Sequence, residues 1–172
     1  NLKADGRPIL GLDAKELLRI VLNSGNDTML VPAHAWTPHF SVFGASSGFD
    51  SLEECFEELT PNIHAIETGL SSDPAMNRRL SKLDNITLIS NSDAHSPAKI
   101  AREANIFNTD LTYKAIKNAL IEGNNNKFLG TIEFFPEEGK YHLDGHRACK
   151  KRMSPEDTKK NKNLCPVCKK KV

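Results

Sequence analysis

Side chains that bind metal ions follow three short apolar runs of the sequence. His34 comes after the first run, Glu67 after the second, and Asp93 and His95 after the third. Imidazole suits zinc, iron and manganese, while carboxylates suit harder ions and can bridge two of them. Because Asp93 and His95 are two residues apart, an extended strand end would put both side chains on one face. The pattern predicts part of a site for hydrolytic divalent ions, since two-metal hydrolysis normally needs more than four ligands.

The loop after His34 carries a further imidazole and two aromatic rings. His39 is an additional ligand, a proton donor to a leaving group, or a loop residue packed against Trp36. Trp36 and Phe40 are either rings that stack on a nucleobase or the hydrophobic anchor of their own loop. The sequence leaves each of these alternatives open.

The C-terminal part contains a second candidate metal site of a different kind. Two residues separate His146 from Cys149 and Cys165 from Cys168, and fifteen residues lie between the two pairs. Each short gap lets one tight turn direct two ligands at a tetrahedral zinc ion. Four protein ligands leave no position for water, which is typical of structural rather than catalytic zinc. His142 is a competing fourth ligand, although the two-residue gap favours His146.

Charge is distributed unevenly along the chain. Residues 140–172 carry 11 Lys and Arg against 3 Asp and Glu, a net charge of +8, whereas the other residues carry 12 and 19. A basic segment on an acidic body indicates a polyanionic partner such as nucleic acid. No apolar run approaches the roughly 20 residues that span a bilayer, and no secretion signal is evident, so we expect a cytoplasmic protein without a membrane partner.

The elements that would position these side chains alternate between helical and strand-like patterns. We expect helices to begin at residues 13, 51, 73, 96 and 112, strands over 28–31, 63–66 and 86–89, and a last apolar stretch over 128–135. This order predicts an α/β fold with parallel strands and crossover helices, either a small open sheet or part of a barrel. We expect two domains, residues 1–139 and residues 140–172.

Several motifs resemble those of the PHP (polymerase and histidinol phosphatase) domain, and more narrowly those of the endonuclease Q family. The Ser92–His95 motif after a strand, with His34 and Glu67 upstream, is similar to the PHP pattern. The narrower resemblance covers nearly the whole chain and rests on the segments 31–38, 47–56, 67–77, 90–96, 130–142 and 144–168.

The resemblance implies a DNA repair endonuclease. Such enzymes nick DNA on the 5′ side of uracil, hypoxanthine, xanthine or abasic sites, using zinc, manganese or magnesium ions held in a distorted (β/α)7 PHP barrel. By motif position, His34, Asp93 and His95 correspond to metal ligands, and Glu67 to a carboxylate near the ions. Glu67, by this motif position, and His39, by its place in the loop after His34, are the candidate catalytic residues. The resemblance also implies damaged DNA as the partner, with repair or replication proteins as candidate partners.

The sequence also departs from the family pattern at its N-terminal end. The family begins with a His-x-His motif, a bridging Glu and a further His, none of which occurs here, and the chain opens at Asn1. We therefore expect a fragment that contains the second part of the PHP domain plus a zinc knuckle, and that cuts DNA weakly or not at all by itself. The alternatives are a PHP phosphatase of small phosphomonoesters and a non-catalytic nucleic-acid-binding module.

Overall fold

The structure is a computed structural model that describes residues 10–46, 48–123, 126–139 and 141–172. Ser47 of one family-like segment, Lys140 at the expected domain boundary, and the nine N-terminal residues lie outside the described residues. The elements below are numbered in chain order.

Polar side chains cap the helices where the sequence predicts. Helix α1 spans Ala14–Asn23, and Asp13 accepts a hydrogen bond from the Glu16 amide. Helix α2 spans Leu52–Phe56, and Ser51 caps it in the same way. Helix α3 spans Pro74–Asn77, and helix α4 spans Tyr113–Glu122. Helix α4 ends at Gly123, whose φ of 59° is the left-handed conformation that a terminal glycine supplies.

A parallel strand pair forms the centre of the larger part. Strand β1 (Ala65–Glu67) pairs with strand β2 (Thr87–Ile89), and Ile66 lies opposite Leu88. Ile66 and Leu88 face a core packed with α1 and α2, while Ala65 and Ile89 face a smaller core with Leu120 of α4. Helices therefore cover both faces of the pair, and both strands are fully buried. The parallel β1–β2 pair confirms the predicted crossover arrangement here.

An antiparallel pair lies beyond β2. Strand β3 (Ala104–Phe107) pairs with strand β4 (Phe128–Ile132). The Asn105 side chain joins this pair to the end of β2, because it accepts from the Ser90 amide and donates to the Ser90 carbonyl at 2.9 and 2.8 Å. These bonds fix the segment that carries Asp93 and His95 relative to β3.

Two predictions about the elements are wrong in detail. Residues 28–31 form no strand, although the Glu67 amide donates to the Pro32 carbonyl and the Ala35 amide to the Glu67 carbonyl, so the segment that follows runs along β1. Pro97–Lys99 form one 3-10 turn instead of an α-helix. The sheets among the described residues are two-stranded, one parallel and two antiparallel, so the fold is mixed α/β. That these strands form part of a (β/α)7 barrel stays a prediction.

The C-terminal part is a small hairpin with one short helix. Strands β5 (Asp144–His146) and β6 (Lys151–Met153) are antiparallel, and helix α5 spans Pro155–Lys160. In the part of the chain that the structure describes, no helix is both long and apolar enough to cross a membrane.

Candidate active-site cleft and metal centre

A cleft of about 660 Å³ opens beside the carboxyl ends of β1 and β2. Its walls include His34 and His39 from one segment of the chain, and Asp93 and His95 from another. Arg102, from the turn before β3, lines the same cleft. Ligands of parallel α/β folds bind at this end of the strands, so the cleft is the candidate active site.

The backbone at His34 is strained and is held by Glu67. His34 has a φ of 32°, a conformation that costs a non-glycine residue about 1–2 kcal/mol. The Glu67 carboxylate accepts the His34 amide N–H at 2.6 Å through Oε2. Thr37 Oγ1 lies 3.2 Å from His34 Nδ1 and 2.9 Å from the His39 carbonyl. If the single hydroxyl proton goes to that carbonyl, Nδ1–H donates to Thr37 and the Nε2 lone pair is left for a ligand.

Asp93 and His95 meet in a turn rather than on an extended strand end. Asp93 has a φ of 43°, and His95 Nδ1 lies 2.8 Å from the Asp93 carbonyl oxygen. Because a carbonyl only accepts, Nδ1 carries the proton and Nε2 offers a lone pair, the arrangement usual for ligating histidines. Asp93 Oδ1 is 3.9 Å from His95 Nδ1. The predicted geometry was wrong here, although both side chains line the same cleft.

Glu67 is a buried residue whose two carboxylate oxygens are both engaged. Oε2 accepts from the His34 amide, and Oε1 accepts from the Asn91 side chain at 2.8 Å. Glu67 is 7% exposed and does not line the cleft. These contacts give it a positioning function, since they connect the His34 segment to the Asn91 segment. A direct catalytic role for Glu67 stays a prediction.

The three predicted ligands are not gathered into a closed set. Within the described ranges, one group of His, Cys, Asp or Glu residues has its ligand atoms all within 4.8 Å of one another. That group lies in the C-terminal part and does not include these three residues. His34, Asp93 and His95 thus share a cleft without converging on one point. Their donor types fit a divalent ion, but their spacing alone does not define one.

The structure resolves the alternatives for the aromatic residues. Trp36 lies 4.7 Å from the Phe43 ring, centroid to centroid, and its Nε1–H donates to Asn77 at 2.8 Å, so it anchors the loop. Phe40 has a φ of 58°, is 79% exposed and lines the cleft. His39 is exposed beside Phe40, with the ring centroids 6.4 Å apart. His39 therefore lies at the cleft, and its chemical role stays a prediction.

Sequence reasoning missed several cleft residues. They are single polar or aromatic side chains without a metal-type pattern: Thr37, Arg102, Phe134, Glu138 and Tyr141. A basic residue nine positions after Asp93 is common in any sequence, so the only available signal was weak.

Sequence reasoning also missed two carboxyl groups that are each next in sequence to a cleft-lining residue. Glu103 is 3% exposed, and its Oε2 has no hydrogen-bond partner among the described residues, nor does Oε1 of Glu133. Burial raises the pKa of both carboxyl groups. The negative charges of Glu133 and Glu67 raise the pKa of Glu103 further, and that of Asp73 raises the pKa of Glu133 further.

The C-terminal residues form the closed set that the spacing predicts. The ligand atoms of His146, Cys149, Cys165 and Cys168 all lie within 4.8 Å of one another, and Cys168 Sγ is 3.4 Å from His146 Nδ1. His142 is not a member of this group. Four residues that can hold a metal ion therefore lie at the ends of the β5–β6 hairpin and the Cys165–Cys168 turn.

The electrostatics of these thiols suit a cation. The Cys168 and Val167 backbone amides donate to Cys165 and lower the pKa of its thiol. Hydrogen bonding to Cys168, burial and the neighbouring Cys165 thiol raise the pKa of Cys149 to about 11. Backbone donors thus favour the thiolate form of Cys165, whereas the neighbouring thiols oppose ionisation of Cys149. A bound cation would relieve that opposition, so the donor set fits zinc.

Comparison with known proteins gives matches over most of the chain, although no family model matches. The crystal structure of the lesion-specific endonuclease PfuEndoQ from Pyrococcus furiosus has a TM-score of 0.77 and 31% identity, covering 96% of this chain and 41% of that one. Endonuclease Q in complex with a 27-mer duplex substrate, with an abasic lesion at its active site, has a TM-score of 0.79 and 30% identity over 95% of this chain and 40% of that one. The uncharacterized protein MJ0043 of Methanocaldococcus jannaschii is 33% identical over 143 residues, 78% of this chain and 17% of the relative.

The fold and the cleft place the chain among mixed α/β proteins with a candidate site at the carboxyl ends of parallel strands. It is similar in sequence and structure to endonuclease Q over nearly its whole length, so it is endonuclease Q-like. The chain spans about two-fifths of the endonuclease Q chains and less than a fifth of MJ0043.

Proposed function

We propose that this chain forms part of a DNA repair endonuclease that hydrolyses a phosphodiester bond beside a damaged or missing base. The observation that carries the proposal is the cleft, which brings His34, Asp93 and His95 together within a fold that matches endonuclease Q. The matched structures are described as lesion-specific and as bound to an abasic lesion, which supports an abasic site as the first substrate to test. Uracil, hypoxanthine and xanthine follow as further lesions.

The chain's own residues supply positioning and ligand atoms. The imidazoles of His34 and His95 would present Nε2 to the cleft, because Nδ1 of each is held by Thr37 and by the Asp93 carbonyl, respectively. Asp93 would add a carboxylate. Glu67 holds the His34 backbone through its short hydrogen bond. His39 is exposed and lines the cleft, and we assign it the role of proton donor to the leaving oxygen.

Zinc, manganese or magnesium ions, when bound, would lower the pKa of water and neutralise developing charge on the phosphate. A complete ion site needs ligands in addition to these three.

The second part of the proposal concerns residues 140–172, which we assign to a separate basic module. This module would hold structural zinc through four residues, His146, Cys149, Cys165 and Cys168. Its positive charge would bind the DNA backbone, in a protein that acts in the cytoplasm beside repair or replication proteins.

The test is nicking of a duplex with one abasic site in the presence of manganese or zinc ions. We would assay the 172-residue chain and a fusion of it to the N-terminal portion of the Pyrococcus furiosus enzyme, with Asp93→Asn as the matched variant. We expect the fusion to nick on the 5′ side of the lesion, and Asp93→Asn to lower the rate by at least about 100-fold because it removes an anionic ligand. A folded fusion that fails to nick, or that nicks equally well after the substitution, would contradict the proposal.

A further inference from the structure

The cleft contains one fixed positive charge among its described lining residues. Arg102 is the only Arg or Lys there, whereas Asp93 and Glu138 contribute carboxylates. A phosphodiester entering such a cleft meets repulsion from these anions unless a cation faces it. The position of Arg102 therefore bears directly on how DNA enters the cleft.

The guanidinium of Arg102 is held on one side only. Its Nε–H donates to the Ser92 carbonyl at 2.9 Å, immediately before Asp93, whose φ is positive. Among the described residues, no carboxylate lies within 4.0 Å of its nitrogens. An Arg guanidinium offers five donors, so the two Nη groups remain for a second acceptor.

The backbone that carries Arg102 is anchored on its C-terminal side. Glu103 is almost fully buried and accepts the Phe134 amide N–H at 3.2 Å, and β3 begins at Ala104. Ala101 has a φ of 60°, which marks the turn that brings the chain into the strand. The guanidinium is thus projected from a fixed point toward the segment that holds Asp93.

We propose that Arg102 binds the phosphodiester at the cleft through its Nη groups while its Nε–H holds the Ser92–Asp93 segment in place. Planar guanidinium groups pair with two phosphate oxygens at once, which a Lys ammonium does not do. One side chain would then couple DNA binding to the geometry of a predicted ligand. The inference rests on the proposed function for its substrate and goes beyond it by assigning a residue.

The test uses the 172-residue chain and a fluorescent duplex with one abasic site, with binding followed by anisotropy between about 50 and 200 mM salt. Arg102→Met removes the charge, Arg102→Lys keeps it without the fork, and Arg79→Met is the control because Arg79 is exposed outside the cleft. We expect Arg102→Met to weaken binding by about tenfold to a hundredfold and to lower the slope of log affinity against log salt by about 0.9. Arg102→Lys should retain the slope and bind with intermediate affinity.

A slope and affinity for Arg102→Met equal to those of Arg79→Met would overturn the inference, and so would a wild-type chain that does not bind the duplex. Should Arg102→Met fail to fold, the Lys variant decides, because wild-type affinity with lysine excludes a bidentate contact. In the fusion enzyme, we expect Arg102→Lys to lower kcat as well as raise KM, since the Ser92 hydrogen bond is also lost. A fusion that does not nick, combined with an Arg102-dependent salt slope, would refute the nuclease proposal and leave the phosphate contact intact.

Discussion

Replacing Cys165 by Ser should remove one metal ion per chain and unfold the C-terminal module. Cys165 is fully buried and its sulfur accepts two backbone amides, so it is the most enclosed of the four ligands. A tetrahedral zinc with bonds of about 2.3 Å to sulfur and 2.0–2.1 Å to nitrogen requires a sulfur–nitrogen separation of about 3.5 Å. The structure has 3.4 Å between Cys168 Sγ and His146 Nδ1, so an ion fits without rearrangement of that pair.

The energetic consequence follows from how little core this module has. The described hydrophobic side chains that are buried in residues 141–172 are Met153 and Cys165. Segments below about 40 residues usually need a metal, disulfides or a partner to fold. Zinc at 1,000 times its dissociation constant would stabilise the folded module by about 4.1 kcal/mol, which a core of this size cannot replace.

Zinc analysis and hydrogen exchange measure the two effects separately. We expect Cys165→Ser to lose about one zinc per chain, and amides of 141–172 to exchange as in an unfolded peptide while β1 and β2 remain protected. Cys55→Ser is the control, because Cys55 is a buried residue of helix α2 and is not a member of the cluster. His142→Ala should keep its zinc, whereas His146→Ala should lose it. Retention of zinc by Cys165→Ser, or protection of 141–172 in a chelator, would refute the reasoning.

The remaining predictions concern the residues beneath and beside the cleft. Because burial raises the pKa of Glu103, the unfolded chain loses this proton at lower pH than the folded protein, so stability falls as pH rises from the ordinary value near 4.5 through the raised one. Glu103→Gln should abolish that loss and raise the free energy of unfolding near pH 7 by about 1 kcal/mol, measured by urea titration, with the exposed Glu137→Gln unchanged. Gly69 has a φ of 62°, and a Cβ there would lie 2.9 Å from the Cβ of His34. Gly69→Ala should therefore destabilise the fold by about 1–2 kcal/mol and lower nicking by the fusion. Gly11→Ala is the control and should do neither, because a Cβ at Gly11 meets no atom within 4 Å.

Local signals in the sequence predicted the helices of the larger part well. Asp13, Ser51 and Thr112 each cap a helix through a side-chain oxygen, and Gly123 ends the last of them. Such interactions lie within four residues of each other, so the local sequence determines them. The one failure, at Pro97, is a segment with exposed side chains, where no apolar face extends the turn into a helix.

Strand pairing was harder to predict because it depends on partners far along the chain. The parallel order of β1 and β2 followed from the helix between them. The antiparallel β3–β4 pair could not be predicted in this way, since β3 has no fully buried side chain and its sequence shows no clear strand pattern. The segment before His34 has apolar residues of strand type, yet its bonds to Glu67 are interrupted and no ladder forms.

The spacing of the C-terminal ligands was sufficient to predict their cluster, since two tight turns require little else. The cleft was different. His34, Asp93 and His95 could be predicted to share one edge of the fold, because carboxyl ends of parallel strands meet there. The positions of their segments depend on contacts between residues far apart in sequence, such as Glu67 with the His34 amide and Arg102 with the Ser92 carbonyl, which no local pattern encodes.

His34 and Asp93 both line the cleft and both have an uncommon backbone conformation. Each has a positive φ, which glycine adopts without cost and which Asn, Asp and His adopt more often than other residues do. Each is held by a polar contact from a distant segment, the Glu67 carboxylate at the His34 amide and the Arg102 Nε–H at the Ser92 carbonyl. A strained residue persists where its surroundings over-determine it, and such residues cluster at functional sites.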